Sequence, residues 1–333
     1  MSKEVKRVFL TGASGLLGRS VYQKFSEQNW TVFGTAFSRV QPHLHKIDLR
    51  DENTVQTVLS EFKPNVVIHT AAQRYPDKVD ADPEAAVDIN VRATESLAAL
   101  CAKERVPLIY ISTDYVFDGK NPPYSEESVP SPLNLYGKTK LQGEEACMAA
   151  SSGNIVLRIP VLYGPVMHLA ESAVTVLLEA LLNTSKERQV SDYERRRPSH
   201  VDDIAEICLG LADRKLKGEP IHGIYHWCGK EIFTKYKMLQ EMADIFHLSS
   251  SHISPAPAPL LSSSATRPYD TTLNTSRLME LNIQCHTPFR QGIKAALEPW
   301  IRENQRENKK RKRSLLLPCH PNTNFLFSHQ LSC

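Results

Sequence analysis

A chain of 333 residues is long enough for one large domain, or two unequal ones, around a buried core. Its 41% hydrophobic and 23% charged residues are those of a soluble globular protein, and a net charge of +3 is too small to argue for nucleic acid or a membrane surface as partner. Seven scattered cysteines without a CxxC pair argue against a disulfide framework or a zinc site, and no run approaches the ~20 apolar residues of a membrane span.

The start, Met1 to Arg7, runs straight into the first predicted strand and leaves no room for a signal peptide, so a cytoplasmic protein with reduced thiols is expected. That strand, Val5–Thr11, enters a turn with glycines at 12, 15 and 18, and an amphipathic helix follows at Leu16–Gln28. Glycine suits a backbone that must turn sharply or lie against a phosphate, and a helix beginning near Gly15 aims its free N–H groups and positive dipole end at an anion. Strand, glycine turn and helix in this order predict dinucleotide binding through Thr11, Gly12, Ser14, Gly15, Leu16, Leu17 and Gly18.

Thr31–Ala36 reads as the second strand. A carboxylate at its end would bond the ribose 2′-hydroxyl of NAD, but this chain has Phe37-Ser38-Arg39. A hydroxyl and a guanidinium suit a 2′-phosphate, which favours NADP; the alternative is a solvated surface arginine. A short third strand is predicted at His45–Leu49, a helix at Asp51–Phe62, and a buried strand from Asn65 through His69 into Thr70-Ala71-Ala72. His69 reads as a packed histidine rather than a catalyst. Pro83–Arg105 is predicted as one long helix whose Asn90, among apolar positions, needs partners and could brace loop backbone.

The next strand, Pro107–Ser112, leads through Thr113 to Gly119 into a proline-rich loop, and a helix opens near Asn134. Tyr136 and Lys140 lie four apart on it, hence on one face. A phenol with a reference pKa near ~10 becomes a useful acid–base group only beside a cation, which Lys140 could supply, while Thr113 could donate to a substrate carbonyl. With a hydride-donating cofactor this trio describes carbonyl reduction. After the strand Ile155–Ile159, from about Glu171, the alternation fades. Helices are predicted at Ala173–Leu182, Val201–Arg214, Lys235–Phe246 and Phe289–Arg302, with one strand at Gly223–Cys228 and a Pro/Ser-rich connector over Ser249–Ser264.

The pattern predicts a Rossmann-type α/β fold: a doubly wound parallel sheet in residues 1–165, and a smaller C-terminal α/β lobe in 166–302 from which the chain can re-enter the first domain. Residues 303–333 form a tail expected to be poorly ordered. Its basic run, Lys309 to Arg313, reads as a solvated charge run or as a nuclear address.

The glycine turn and the trio Thr113, Tyr136 and Lys140 resemble the extended short-chain dehydrogenase/reductase superfamily. Within it, Ser112-Thr113-Asp114-Tyr115-Val116-Phe117-Asp118-Gly119 resembles the dTDP-4-dehydrorhamnose reductases. Leu133 to Leu141, Leu157 to Gly164, Glu171 to Val176 and Thr287 to Arg290 are more specifically similar to the family of regulatory (beta) subunits of methionine adenosyltransferase. That resemblance implies a non-catalytic protein that binds NADP, associates with the catalytic subunit making S-adenosylmethionine, and tunes its affinity for methionine. It implies cofactor contacts at Ser14 to Leu17, at Phe37, Ser38 and Arg39, at Asp48 and Leu49 by the adenine, and at Thr70, Arg74, Tyr136, Lys140 and Leu162; no metal is implied. The match fades after Pro299-Trp300-Ile301, where the family carries its partner-inserting tail. Because Thr113, Tyr136 and Lys140 are all present, an active NADPH-dependent reductase stays open as the alternative.

Overall fold

Val8, Phe9 and Leu10 of the first strand, β1 (Arg7–Thr11), are wholly buried. Alternate residues of a strand face opposite sides, so β1 needs a core on each. Val8 and Leu10 join one apolar cluster and Phe9 the other. The computed structural model describes residues 5–259 and 265–315, the backbone alone beyond 306. Its contacts divide the chain into a unit through Ala296 and a short one from Leu297, a boundary inside the last helix.

In the first unit, β1 is joined by β2 (Thr31–Ala36), β3 (His45–Lys46), β4 (Val66–His69), β5 (Leu108–Thr113) and β6 (Ile155–Ile159). After the short β7 (Leu162–Tyr163), β8 (Arg188–Ser191) and β9 (Ser199–His200), strand β10 (Gly223–His226) returns to the main sheet. The result is a seven-stranded parallel sheet in the order β10-β6-β5-β4-β1-β2-β3. The order reverses around β1, which lies between β4 and β2; such a switch point opens a crevice at the carboxyl ends of the strands. β7 pairs with β9, and β8 with β11 (Ile253–Ala256), in separate two-stranded sheets.

Helices cover both faces. α1 (Leu16–Glu27) packs with a later helix against Val8, Leu10, Ile68 and Ile111. On the other face α2 (Glu52–Phe62), two short helices α3 (Pro76–Ala81) and α4 (Pro83–Val87), α5 (Ala93–Lys103) and α6 (Leu135–Ala150) follow in order, α2, α5 and α6 closing over Phe9, Val67 and Tyr110. α7 (Leu177–Leu182), α8 (Val201–Leu216), α9 (Lys235–Phe246), α10 (Ser276–Glu280) and α11 (Phe289–Leu315) complete the described chain, α8 being the partner of α1.

Five predicted elements differ. The third strand, expected over His45–Leu49, ends at Lys46. The helix expected over 83–105 is interrupted by a π-helical turn at Asp88–Arg92, where Asn90 spends its side chain on Gln73 and Thr139. The helix expected from Ala173 begins at Leu177, because Ser172 and Thr175 bond the Leu162 and Leu169 carbonyls instead. The connector over 249–264 contains β11, whose Ile253 and Ala256 are buried; 260–264 lie outside the described residues. Finally, α11 continues to Leu315, through residues from Glu303 on that composition marked as a tail. Glu, Gln, Lys and Arg are good helix formers, and Arg302 bonds Glu298 one turn earlier. The rest of the tail, 316–333, lies outside the described residues.

Candidate functional site at the carboxyl edge of the sheet

The glycine turn between β1 and α1 is built for close approach. Gly12 has φ of +67°, and a Cβ there would sit 2.7 Å from the Ala71 nitrogen. A Cβ on Gly18 would overlap the Gly12 carbonyl. Gly15 caps α1 with no side-chain acceptor and no acidic residue in the first turn, and its own Cβ position faces only the Gly12 oxygen at 3.1 Å. The helix start thus keeps N–H groups unclaimed by side chains above an open cradle, which fits a dinucleotide diphosphate. Leu16 and Leu17 are buried, so backbone is what they present; Thr11 bonds His69 at 2.6 Å, and Thr70 locks the turn by donating to the Thr11 carbonyl at 2.7 Å.

Past β2, Phe37 is exposed with the Arg50 guanidinium 5.5 Å from its ring centre, and Arg50 forks onto Asp48. The bonds from Arg50 lower the Asp48 pKa. Phe37, Arg50 and Asp48 form a wall of flat and charged groups suited to an adenine edge, while Leu49 belongs to the core.

Arg39 points its Nη1 to Glu171 Oε1 at 3.1 Å. Arg19, one turn into α1, bonds both oxygens of the same carboxylate at 2.8 Å, and Arg74 bonds the Glu171 backbone carbonyl. Glu171 is fully buried; burial opposes its charge, but the bonds from Arg19 and the Met167 N–H, with the Arg39 charge, outweigh it and hold the carboxyl at about 2. Arg19 of α1 and Arg39 after β2 therefore meet the carboxylate of Glu171, in the segment after β7, while Arg74 after β4 holds its backbone. Leu162, also named by sequence, lies at that segment's base and accepts from Ser172 at 2.6 Å.

On the other side of the crevice, Asn134 caps α6 by accepting from the Gly137 N–H at 2.9 Å, which fixes where the helix begins. Tyr136 and Lys140 follow one turn apart. Burial raises the Tyr136 pKa to about 12, although the neighbouring Thr113 hydroxyl partly offsets it. Burial lowers Lys140 to about 7; its Nζ donates to the Ile111 carbonyl at 2.7 Å and lies 3.9 Å from the Tyr110 ring centre. Next to them Asp114, buried and bonded by Thr271 and Thr113, is raised by burial to about 6. The structure thus brings the glycine turn, Arg39, Arg74 and the Thr113–Tyr136–Lys140 trio to one edge of the sheet. His69 is packed as expected, with its Nε2 3.0 Å from Thr94, and burial lowers its pKa to about 3.

Sequence reasoning did not single out Arg19, Glu171 or the pair Glu144–Arg158. Arg19 had a signal in its place one turn after Gly15. Glu171 had none locally, because Arg19 and Arg39 lie 152 and 132 residues away. Among the described residues no group of three or more His, Cys, Asp or Glu could hold a metal, and no helix is long and apolar enough to cross a membrane.

Sheet order, helices on both faces and the glycine turn at the switch point define a Rossmann-type, doubly wound α/β fold. The chain belongs to the family described as the RmlD substrate binding domain, whose profile matches residues 6–301. It is 46% identical over 296 residues to the methionine adenosyltransferase 2 subunit beta of Xenopus laevis, covering 89% of this chain and 88% of that protein. A dTDP-4-dehydrorhamnose reductase of Aggregatibacter actinomycetemcomitans is 30% identical over 233 residues, 69% of this chain and 76% of its own. Among solved structures, the dTDP-4-dehydrorhamnose reductase of Bacillus anthracis in complex with NADP superposes with a TM-score of 0.76 at 22% identity, covering 90% of this chain and all of its own.

Proposed function

We propose that this chain is an NADP-binding regulatory subunit that associates with the catalytic subunit of a methionine adenosyltransferase and modulates its affinity for methionine. The observation that carries the reading is 46% identity over 89% of the chain to proteins named as the beta subunit of that enzyme. The site geometry supports the cofactor half. The α1 N-terminus would hold the diphosphate, Phe37, Ser38 and Arg39 the adenosine 2′-phosphate, and Tyr136 and Lys140 the nicotinamide ribose. The bound dinucleotide would supply a charged bridge between the α1 turn and the α6 side of the crevice. In the regulatory role the trio Thr113, Tyr136 and Lys140 orients the cofactor.

The test is co-purification with the catalytic subunit, using the full chain and a form ending at 302, with methionine affinity measured in the presence and absence of each. Association of either form, with a shifted methionine affinity, supports the reading; no complex with either overturns it. The second reading, an NADPH-dependent reductase of a 4-keto nucleotide sugar, is favoured by the Thr113 hydroxyl lying near enough to Tyr136 to lower its pKa, with Lys140 on the same helix face. Turnover lost in Tyr136→Phe would establish it.

A further inference from the structure

Glu171 is the one carboxylate on which Arg19 and Arg39 converge among the described ion pairs, and it sits between the places proposed for the diphosphate and the 2′-phosphate. Its grip on the two is unequal. Arg19 makes a bond to each carboxylate oxygen at 2.8 Å and is anchored further by the Ser14 carbonyl at 2.9 Å. Arg39 makes a single contact at 3.1 Å, and its side chain is 46% exposed. The second carboxylate oxygen also accepts from the Met167 N–H at 3.0 Å, which pins the loop after β7 over the turn. An ionised, fully buried carboxylate that engages an arginine beside a phosphate site withholds that arginine from the phosphate.

Resting on the dinucleotide reading above, we propose that Glu171 is a specificity-determining positioning residue whose carboxylate competes with the adenosine 2′-phosphate for Arg39. Binding of a 2′-phosphorylated nucleotide is then an exchange. Arg39, the weakly held partner, turns from the carboxylate to the phosphate, while Arg19 stays on Glu171 and keeps the loop in place. The competition tempers the preference for NADP over NAD, because only the 2′-phosphate must win Arg39.

The experiment is calorimetric titration of wild type, Glu171→Gln, Arg39→Ala and the double variant with four probes: NADP, NAD, 2′,5′-ADP and 5′-ADP. Thermal unfolding checks that each variant folds, and Glu171→Asp, which retains the charge but withdraws it from Arg39, replaces Glu171→Gln if that variant does not. The expected result is that Glu171→Gln binds NADP and 2′,5′-ADP on the order of tenfold more tightly, leaves NAD and 5′-ADP within about twofold, and loses the gain when Arg39 is Ala. Equal weakening of all four probes, or a gain that survives Arg39→Ala, overturns the proposal. If wild type binds neither dinucleotide while Glu171→Gln still selects 2′,5′-ADP over 5′-ADP through Arg39, the dinucleotide reading fails and the competition stands. If no variant binds any probe, both fall.

Discussion

Arg158 of β6 and Glu144 of α6 form an ion pair at 2.6 Å with side chains 2% and 3% exposed. Glu144 also accepts from Ser112 at the end of β5, and Arg158 passes on to His226 of β10 at 3.3 Å, whose other ring nitrogen lies 3.2 Å from the Tyr124 carbonyl. Burial and the Arg158 charge lower the His226 pKa to about 3, so that ring is neutral. The network joins three parallel strands to the helix that carries Tyr136 and Lys140.

Breaking that pair from one side leaves a charge stranded in the core. Arg158→Met should destabilise the protein by about 3–5 kcal/mol, whereas replacing both partners with apolar residues should cost much less. Urea unfolding of the two single variants and the double variant measures this; additive losses would show that the charges do not interact.

The glycine turn tolerates no methyl group at position 18, where it would overlap the Gly12 carbonyl oxygen. Gly18→Ala should cost about 1–3 kcal/mol through overpacking between α1 and the turn, and weaken dinucleotide binding with it. An alanine variant with wild-type stability and affinity would contradict this close approach.

Arg39 is the charged group at the end of β2 suited to a 2′-phosphate. Arg39→Ala should weaken NADP by about ten- to a hundredfold and leave NAD nearly unchanged. Equal losses for the two cofactors would remove the argument for NADP from this strand end.

Asp114 makes stability depend on pH. Burial raises its pKa from 3.8 to about 6, so the folded state binds a proton more tightly than the unfolded chain. That contribution is complete below about pH 4 and is lost as pH rises through about 6, roughly 3 kcal/mol at 1.36 kcal/mol per pKa unit. Relative to wild type, Asp114→Asn should therefore gain stability between pH 4 and pH 7; a difference that stays constant over that range would refute it.

What could be read in the sequence was whatever short-range spacing encodes. The turn at Gly12, Gly15 and Gly18 and the helical pair Tyr136–Lys140 sit where their spacing placed them, because each depends on one turn of backbone. Glu171 could not be found this way, since its partners arrive from α1 and from the segments after β2 and β4, far away in the chain. The same holds for β10, a four-residue strand that sequence set among the later helices and that pairs instead with β6. The π-helical turn around Asn90 was hidden for another reason: its residues include no glycine or proline to mark a break, and it is the demand of Gln73 and Thr139 for partners that places that side chain.

The late arrival of β10 bears on how the protein is made. A nascent chain that has left the ribosome through β6 already contains the glycine turn, Tyr136 and Lys140, yet β6 still presents a bare parallel edge and Arg158 lacks its contact with His226. That edge stays open until Gly223–His226 has been synthesised and has crossed back, an interval in which it can pair with another chain. Translation speed across the region between these two strands, and holdase chaperones that shield strand edges, should therefore affect the yield of folded protein.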